Sequence, residues 1–264
     1  MTEPLLHAEH LRKRFGDVAA VDDVSLAVGA GETVGIVGES GCGKSTTAKL
    51  LLRLHEADGG SIRFAGSDLR AVRGSALRAL RARFQLVPQH PQAAFDPRLT
   101  IGDAIALNMR VHGTPRAAAR RRAVELLERV GVGPQHAGKR PRTLSGGQLQ
   151  RAAIARALAT DPELVICDEA VSALDKSVQA QVLNLLHELQ RETGVAFLFI
   201  SHDLAVVEHA CDRVIVMHGG RIVEEGRAVD LWRAPQHPYT AQLLAATPER
   251  IVERLRRERS GAPS

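Results

Sequence analysis

Cysteine is scarce in this chain, with three residues, Cys42, Cys167 and Cys211, among 264. They lie far apart, form no CxxC pair and are odd in number, so they predict neither a disulfide framework nor a zinc site. For the same reason we do not expect an iron–sulfur cluster. This use of cysteine fits a protein of the cytosol.

Long apolar runs are also lacking. No stretch approaches the roughly 18 apolar residues that a membrane-spanning helix needs. The opening residues, MTEPLLHAEHLRKRF, have neither the basic start nor the apolar centre of a signal peptide. We therefore expect the chain to remain in the compartment where it is made.

Lysine is rare, because the basic residues are 30 Arg and only 5 Lys. The net charge of +5 and the pI near 9.5 could indicate nucleic acid or an anionic membrane surface. However, the densest basic runs, at 116–122 and 254–260, stand among helix-forming residues. We interpret them as solvated helix faces and predict no nucleic-acid partner.

The chain is long for one domain and short for two, and its 44% hydrophobic content can bury a sizeable core. Short apolar runs before residue 38 predict strands, and antiparallel pairing is expected there. Apolar runs that alternate with helical stretches, among them ELVICDE, VAFLFIS and DRVIVMHGGRIVEEG, predict a parallel sheet covered on both faces. We predict an α/β domain over 1–246, with a mostly helical insertion at about 92–160 and a short charged tail at 247–264.

A glycine-rich turn, GESGCGKST, follows a buried apolar run and precedes a helical stretch. It fits the pattern G-x-x-x-x-G-K-[ST], in which glycines let backbone N–H groups surround phosphate oxygens at a helix N-terminus. The Lys44 ammonium can reach the β and γ phosphates, and the Ser45 hydroxyl can ligate Mg²⁺. A ligand-free turn is the alternative. The predicted phosphate site comprises Gly38, Glu39, Ser40, Gly41, Cys42, Gly43, Lys44, Ser45 and Thr46.

A second feature is the run LVICDEA, a buried strand that delivers two carboxylates to its C-terminal end. Ligands bind at that end of the strands in open α/β sheets. An ordinary solvated strand end is the alternative, but the phosphate loop favours a functional role. Asp168 is predicted to hold Mg²⁺, and Glu169 to accept a proton from an attacking water.

A second glycine-containing turn, LSGGQ at 144–148, opens the helical run LQRAAIARAL. The exposed N–H groups after Ser145 make an anion site that has no lysine of its own. The residues alone therefore predict a second phosphate-binding turn.

These motifs, followed by CDEAVSALD at 167–175 and ISHDL at 200–204, resemble the ATP-binding subunit of an ABC transporter. The resemblance implies a P-loop NTPase (RecA-like) core, an N-terminal antiparallel β subdomain and an inserted α-helical subdomain. It also implies that MgATP is hydrolysed at a dimer interface. There the second turn, with Ser145, Gly146, Gly147 and Gln148, would act on the γ-phosphate held by the other subunit.

The resemblance implies roles for single residues as well. Phe15 would stack on adenine, and Gln89 would contact Mg²⁺ and sense a membrane subunit; an ordinary core Phe and loop Gln are the alternatives. His202 would bond the γ-phosphate and orient the attacking water, while Asp175 would close its loop toward the partner. His209 could pair with His202 on a metal, but no third ligand is evident.

The runs QAAFDPRLTIGDAI and PQHPYTAQLLAATPE are similar to the ATPases of peptide and nickel importers. The chain departs from that pattern at Ala170, where proline is common, and at Lys176, where a small apolar residue is usual. It has no cysteine after Cys211, whereas many of these ATPases carry a cysteine-rich tail, so the shorter members are favoured.

The resemblance implies import of peptides, nickel or a metal chelate. The implied partners are two transmembrane permease subunits, a second ABC ATPase that is a paralogue or a copy of this chain, and indirectly a substrate-binding protein. The implied location is peripheral, on the cytoplasmic face of the inner membrane. Two alternatives stay open at this point: a soluble ABC ATPase not coupled to transport, and a non-hydrolysing regulatory nucleotide-binding module.

Overall fold

The computed structural model describes residues 3–172 and 174–247, so nearly all of the expected tail at 247–264 lies outside the described residues. The strands β1 to β10 are Leu6–Phe15, Val18–Val28, Thr33–Val37, Gly59–Phe64, Ser67–Asp68, Phe84–Val87, Leu164–Asp168, Ala196–Ser201, Arg213–His218 and Arg221–Arg227. The helices α1 to α9 are Lys44–Leu51, Gly74–Arg83, Ile101–Arg110, Arg116–Arg129, Gly146–Leu158, Lys176–Thr193, Leu204–Ala210, Ala228–Arg233 and Pro238–Ala245.

Two sheets build the molecule, and both the antiparallel strands before residue 38 and the parallel sheet were predicted, whereas β4 and β5 were not. The first is antiparallel, with strand order β2-β1-β4-β5. The second has the order β10-β9-β3-β8-β7-β6 and is parallel from β9 to β6. All residues of β3 and β8 are buried, which is typical of parallel strands covered on both faces.

The expectation that the whole run DRVIVMHGGRIVEEG belongs to the parallel sheet was wrong, because the run is a hairpin. Strands β9 and β10 pair antiparallel across the turn at Gly219 and Gly220. Both glycines have positive φ, +54° and +81°, which glycine adopts without the steric cost of a side chain. Strand β10 is therefore an antiparallel edge on an otherwise parallel sheet.

The chain between β6 and β7 forms helices and turns only, as expected for the insertion. Helix α5 packs there against α3 and α4 and also contacts β6. Its inner face is rich in alanine, and Ala152, Ala153 and Ala155 are fully buried. Small side chains let the helices approach closely, so the insertion is packed firmly onto the sheet.

The sheet order determines where the chemistry-bearing residues meet. Strands β3, β7 and β8 are parallel neighbours, with Val37 paired to Ser201 and Asp168 paired to Ile200. Their carboxyl ends therefore lie at one edge of the sheet. The glycine turn, the two acidic residues and the segment of His202 all follow those ends.

Candidate nucleotide site

The turn between β3 and α1 requires glycine at both of its ends. Gly38 has φ +151° and Gly43 has φ +105°. A Cβ at Gly38 would lie 2.2 Å from the Met217 carbonyl oxygen, and a Cβ at Gly43 would lie 2.2 Å from that of Ala20. The loop therefore lies so close to neighbouring backbone that only glycine fits.

We expect Gly43→Ala to destabilise the fold more than Gly41→Ala. Gly41 also has positive φ, +84°, but its Cβ would point into open space. The pair therefore separates the steric clash, worth about 1–3 kcal/mol, from the shared backbone strain. Thermal unfolding without nucleotide measures the difference, and equal melting temperatures for the two variants would contradict the close packing at Gly43.

Lys44 opens α1 and is only 4% exposed. Its ammonium Nζ donates hydrogen bonds to the carbonyl oxygens of Gly38, at 2.7 Å, and Glu39, at 2.8 Å. A buried cation needs such partners to offset the loss of hydration. The two carbonyls hold the charge inside the loop, where the sequence placed a phosphate.

Ser45 joins the glycine loop to strand β7. Its Oγ donates a hydrogen bond of 2.9 Å to Asp168 Oδ1. Burial, together with the neighbouring Glu169 carboxylate, raises the pKa of Asp168 above its usual value. A hydroxyl and a carboxylate at this separation are hard oxygen donors of the kind that Mg²⁺ prefers.

The Glu169 carboxylate lies between two polar side chains. Gln89 Nε2 donates a hydrogen bond of 2.7 Å to Glu169 Oε2, while His202 Nδ1 lies 3.3 Å from Oε1. The Glu169 side chain is 12% exposed and that of His202 is 52% exposed. The structure thus brings together three of the predicted site residues from segments far apart in the chain.

Glu169 has an unusual backbone conformation, with φ +47°. Non-glycine residues rarely adopt it, and such strain often accompanies functional positions. The Glu169 N–H donates a hydrogen bond of 2.8 Å to the Ile200 carbonyl, which ties the strained residue to β8. The carboxylate is therefore directed by backbone as well as by its neighbours.

The second glycine turn begins α5. Ser145 Oγ accepts a hydrogen bond from Gln148 N, and Gln148 Oε1 accepts one from Ser145 N, which is a capping box. Gly146 is exposed with open space around it, and Gly147 faces Val178. Throughout residues 3–172 and 174–247, no hydrogen bond or ion pair joins this turn to the glycine loop of Lys44.

Phe15 and Asp175 have other partners than the Glu169 cluster. Phe15 ends β1 and is 48% exposed, with its ring edge-on to His55 at 5.7 Å between centroids. Asp175 is the N-cap of α6, and its carboxylate accepts a hydrogen bond of 3.0 Å from Val178 N. Asp175 is exposed, so it remains accessible to a second subunit.

Two hydrogen bonds near the site were not predicted from the sequence. Lys176, noted only as a departure, donates a hydrogen bond of 2.7 Å to Asp203, the residue after His202. The Tyr239 hydroxyl accepts a hydrogen bond of 3.1 Å from the Glu39 N–H of the glycine loop. The HPYT motif was the only sequence signal for Tyr239, and it carried no indication of this contact.

Comparison with known proteins identifies the family. A family model described as ABC transporter matches residues 21–172. The chain is 47% identical to the oligopeptide transport ATP-binding protein OppF of Bacillus subtilis, over 94% of this chain and 84% of that protein. The chain therefore belongs to the ABC transporter family, and the resemblance seen in the sequence is confirmed.

A second relative is longer. The chain is 50% identical to the glutathione import ATP-binding protein GsiA of Pectobacterium atrosepticum, over 97% of this chain but only 43% of that protein. The chain thus spans less than half the length of this relative.

Solved structures agree on the fold. CbiO1 from Clostridium perfringens, described as part of an ABC transporter complex, superposes with a TM-score of 0.80 at 25% identity, covering 97% of this chain and all of that one. A dimeric ATP-binding cassette bound to ADP and Pi superposes with a TM-score of 0.77 at 28% identity, over 84% of this chain and 98% of that one. The predicted P-loop ATPase fold is confirmed.

No helix within the described ranges is both long and apolar enough to cross a membrane.

Proposed function

We propose that this chain is the ATP-hydrolysing subunit of an ABC importer that takes up peptides or related small solutes. The observation that carries the proposal is the Glu169 carboxylate, held between Gln89 and His202 beside the Ser45–Asp168 pair. The relatives named for oligopeptide transport and glutathione import favour a peptide cargo. Nickel or a metal chelate stays a second cargo class.

The substrate ATP fits the glycine loop. Successive N–H groups at the start of α1 would surround its phosphates, and the Lys44 ammonium would counter their charge. Phe15 is 48% exposed, which supports the predicted stacking on adenine; its ring also contacts His55 and the Lys13 ammonium. Residues 38–46 would therefore hold the phosphates and Phe15 the base.

The donor set fits Mg²⁺. Mg²⁺ binds through one or two protein ligands, its own waters and substrate phosphates, so a dedicated cage is not needed. The described residues contain no group of three or more His, Cys, Asp and Glu that could hold a metal, which agrees with that mode. Ser45, Asp168 and Gln89 would hold the ion, which would neutralise charge on the phosphates.

Glu169 would act as the general base. The attacking water must lose a proton, and the Glu169 carboxylate is the acceptor placed to take it. Gln89 and His202 orient that carboxylate, and the half-exposed His202 side chain would bond the γ-phosphate. The protein would thus supply positioning and charge stabilisation rather than a covalent intermediate.

The second glycine turn would serve another subunit. The exposure of Ser145 and Gly146 and the dimeric ADP-bound cassette similar to this chain both support hydrolysis at a dimer interface. Ser145, Gly146, Gly147 and Gln148 would face the γ-phosphate of the partner, and Asp175 would approach the partner's site. The partner ATPase is a paralogue or a second copy of this chain.

A groove next to the Glu169 cluster supports coupling to permease subunits. It measures about 480 Å³ and combines the exposed apolar side chains of Leu54 and Val111 with the exposed cations of Arg78 and Arg81. Pro88 lines it, and the next residue is Gln89. In the family, a short cytoplasmic helix of the membrane subunit docks at this junction, so the groove would receive such a helix, with acidic residues favoured by the arginines.

This assignment places the chain on the cytoplasmic face of the inner membrane, beside two permease subunits and indirectly a substrate-binding protein. A soluble ABC ATPase would have no use for the groove. A regulatory module without turnover would have no use for a strained, doubly contacted Glu169. The ATPase rate of the isolated chain tests the first alternative, and hydrolysis by wild type and Glu169→Gln tests the second.

We expect the isolated chain to hydrolyse ATP slowly, because its Gln89 loop is not held by a partner. Assembly with permeases, a second ATPase and a loaded binding protein should raise turnover about tenfold or more. A charge reversal, Asp96→Arg or Arg98→Glu, should reduce this stimulation more than it reduces basal turnover. The measurement is ATPase rate in reconstituted vesicles, and full activity from the isolated chain would favour the soluble alternative.

The structure supplies the control for that experiment. Arg98 donates a 2.8 Å hydrogen bond to Asp96, and the Arg98 guanidinium lowers the pKa of Asp96 to about 2. A double reversal, D96R with R98E, combines the two single changes and restores opposite charges at these positions. If a partner contacts these charges directly, the ATPase rate of the double variant will remain unstimulated. Full recovery of the stimulation would show that the pair acts only within the chain.

A further inference from the structure

The QHPYT segment, residues 236–240, is fastened to the sheet at one end. The Glu224 carboxylate of β10 accepts hydrogen bonds from the backbone N–H groups of Gln236, at 2.8 Å, and His237, at 3.0 Å. His237 then caps α9, since its Nδ1 accepts from Tyr239 N at 3.2 Å, and Pro238 takes the first helical turn. The segment therefore has a fixed position relative to the hairpin of β9 and β10.

Tyr239 extends from this segment to the glycine loop. Tyr239 is only 9% exposed, and its ring packs on the His218 ring with 4.0 Å between centroids. Its hydroxyl accepts the 3.1 Å hydrogen bond from Glu39 N–H. Burial raises the pKa of the Tyr239 phenol, so the hydroxyl stays protonated.

Glu39 is also the residue that Lys44 contacts. Its N–H is bonded to Tyr239, while its carbonyl accepts the 2.8 Å bond from Lys44 Nζ. The peptide segment that orients the phosphate-binding cation is thus held from outside by a side chain 200 positions away in the chain.

We propose that Tyr239 is a positioning residue for the phosphate-binding loop, which it holds in the shape that accepts the ATP phosphates. The proposal rests on the proposed function, because ATP is the ligand. A loop already ordered before binding loses less conformational freedom when the phosphates arrive. The C-terminal helix α9 is then part of the nucleotide site, although it touches no nucleotide.

The first test is Tyr239→Phe, which removes one hydroxyl and keeps the ring on His218. We expect the Kd and the KM for ATP to rise about three- to tenfold, the effect of one neutral hydrogen bond. The kcat should stay within about twofold, because the Glu169 cluster is untouched. The matched control is Thr247→Val, which removes a hydroxyl that donates to the Leu244 carbonyl just beyond the end of α9 and should leave ATP affinity unchanged.

The second test does not depend on a variant. Tyr239 is the one tyrosine in the sequence, so biosynthetic 3-fluorotyrosine gives a single ¹⁹F resonance. We expect this resonance to shift on addition of ATP with Mg²⁺, and to saturate with the Kd measured for ATP. A tyrosine that only packs the helix would show no such shift.

Equal ATP affinity of wild type and Tyr239→Phe, or a ¹⁹F resonance indifferent to bound ATP, would overturn the positioning role. Failure of the wild-type chain to bind ATP would instead refute the proposed function. A loss of affinity in Thr247→Val as large as that in Tyr239→Phe would show that general damage to α9 is the cause.

Discussion

Replacing Glu169 by Gln is expected to lower ATP turnover by about 100-fold or more. The amide keeps the shape of the side chain and can still accept the hydrogen bond from Gln89, but it cannot take a proton from water. ATP binding should persist, since the glycine loop and Lys44 are unchanged. Hydrolysis and nucleotide affinity are measured on one preparation.

The control is Glu163→Gln. Glu163 directly precedes β7, and Glu169 directly follows it. Glu163 forms a surface ion pair with Arg83, and both side chains are about two-fifths exposed, at 44% and 40%. Its loss should leave turnover unchanged, because exposed pairs contribute little. Near-normal hydrolysis by Glu169→Gln would remove the general base from the proposal.

Gly146→Asp is expected to abolish ATP-induced dimerisation and to reduce hydrolysis by about 100-fold or more. The variant should fold, because a Cβ at Gly146 meets open space and an acidic residue in the first turn of α5 favours the helix. Its carboxylate would, however, occupy the anion site and repel the partner's γ-phosphate. Nucleotide binding to the monomer should survive, as judged by equilibrium binding beside size-exclusion chromatography.

Gly138→Asp is the matched control, since Gly138 lies in the same insertion, is exposed and also has open space around its Cβ. It should dimerise and hydrolyse ATP normally. If Gly146→Asp instead loses nucleotide binding as a monomer, both glycine turns act on one nucleotide within one chain.

The glycine loop could be predicted from the sequence because its information is local. A buried strand, the turn and the helix start lie within one short run of the sequence. The carbonyls that exclude a side chain at Gly38 and Gly43 belong to Met217 and Ala20 and lie outside that run. The capping box of Ser145 and Gln148 was equally accessible, since both partners lie within one helical turn.

The Glu169 cluster could be predicted only in part. The sequence alone placed Asp168 and Glu169 at a strand end, but Gln89 lies 80 positions before Glu169. Its approach depends on the neighbouring positions of β6 and β7, which no local pattern encodes. The family resemblance supplied Gln89, and the structure then placed it in hydrogen-bonding distance of Glu169.

Tyr239 could not be predicted at all as a contact of the loop. Its partner is a backbone N–H, which has no sequence signature. The contact also requires the hairpin of β9 and β10, whereas the sequence predicted only parallel strands there. Glu224, which holds the QHPYT segment, belongs to β10, the antiparallel strand of that hairpin. Because the hairpin was not predicted, the contact between Tyr239 and the glycine loop could not be predicted either.

The position of β3 has a consequence for how the chain is made. Its neighbours are β8 and β9, so Thr33 pairs with Phe197 and Val34 with Arg213. On a ribosome adding about 5–20 residues per second, the strand that precedes the glycine loop would wait about ten seconds or longer for its first partner. During that time an apolar strand with unpaired edges is exposed to aggregation and to chaperones. ATP binding is therefore expected only after β8 and β9 have been made, and the appearance of nucleotide affinity would report folding of the central sheet.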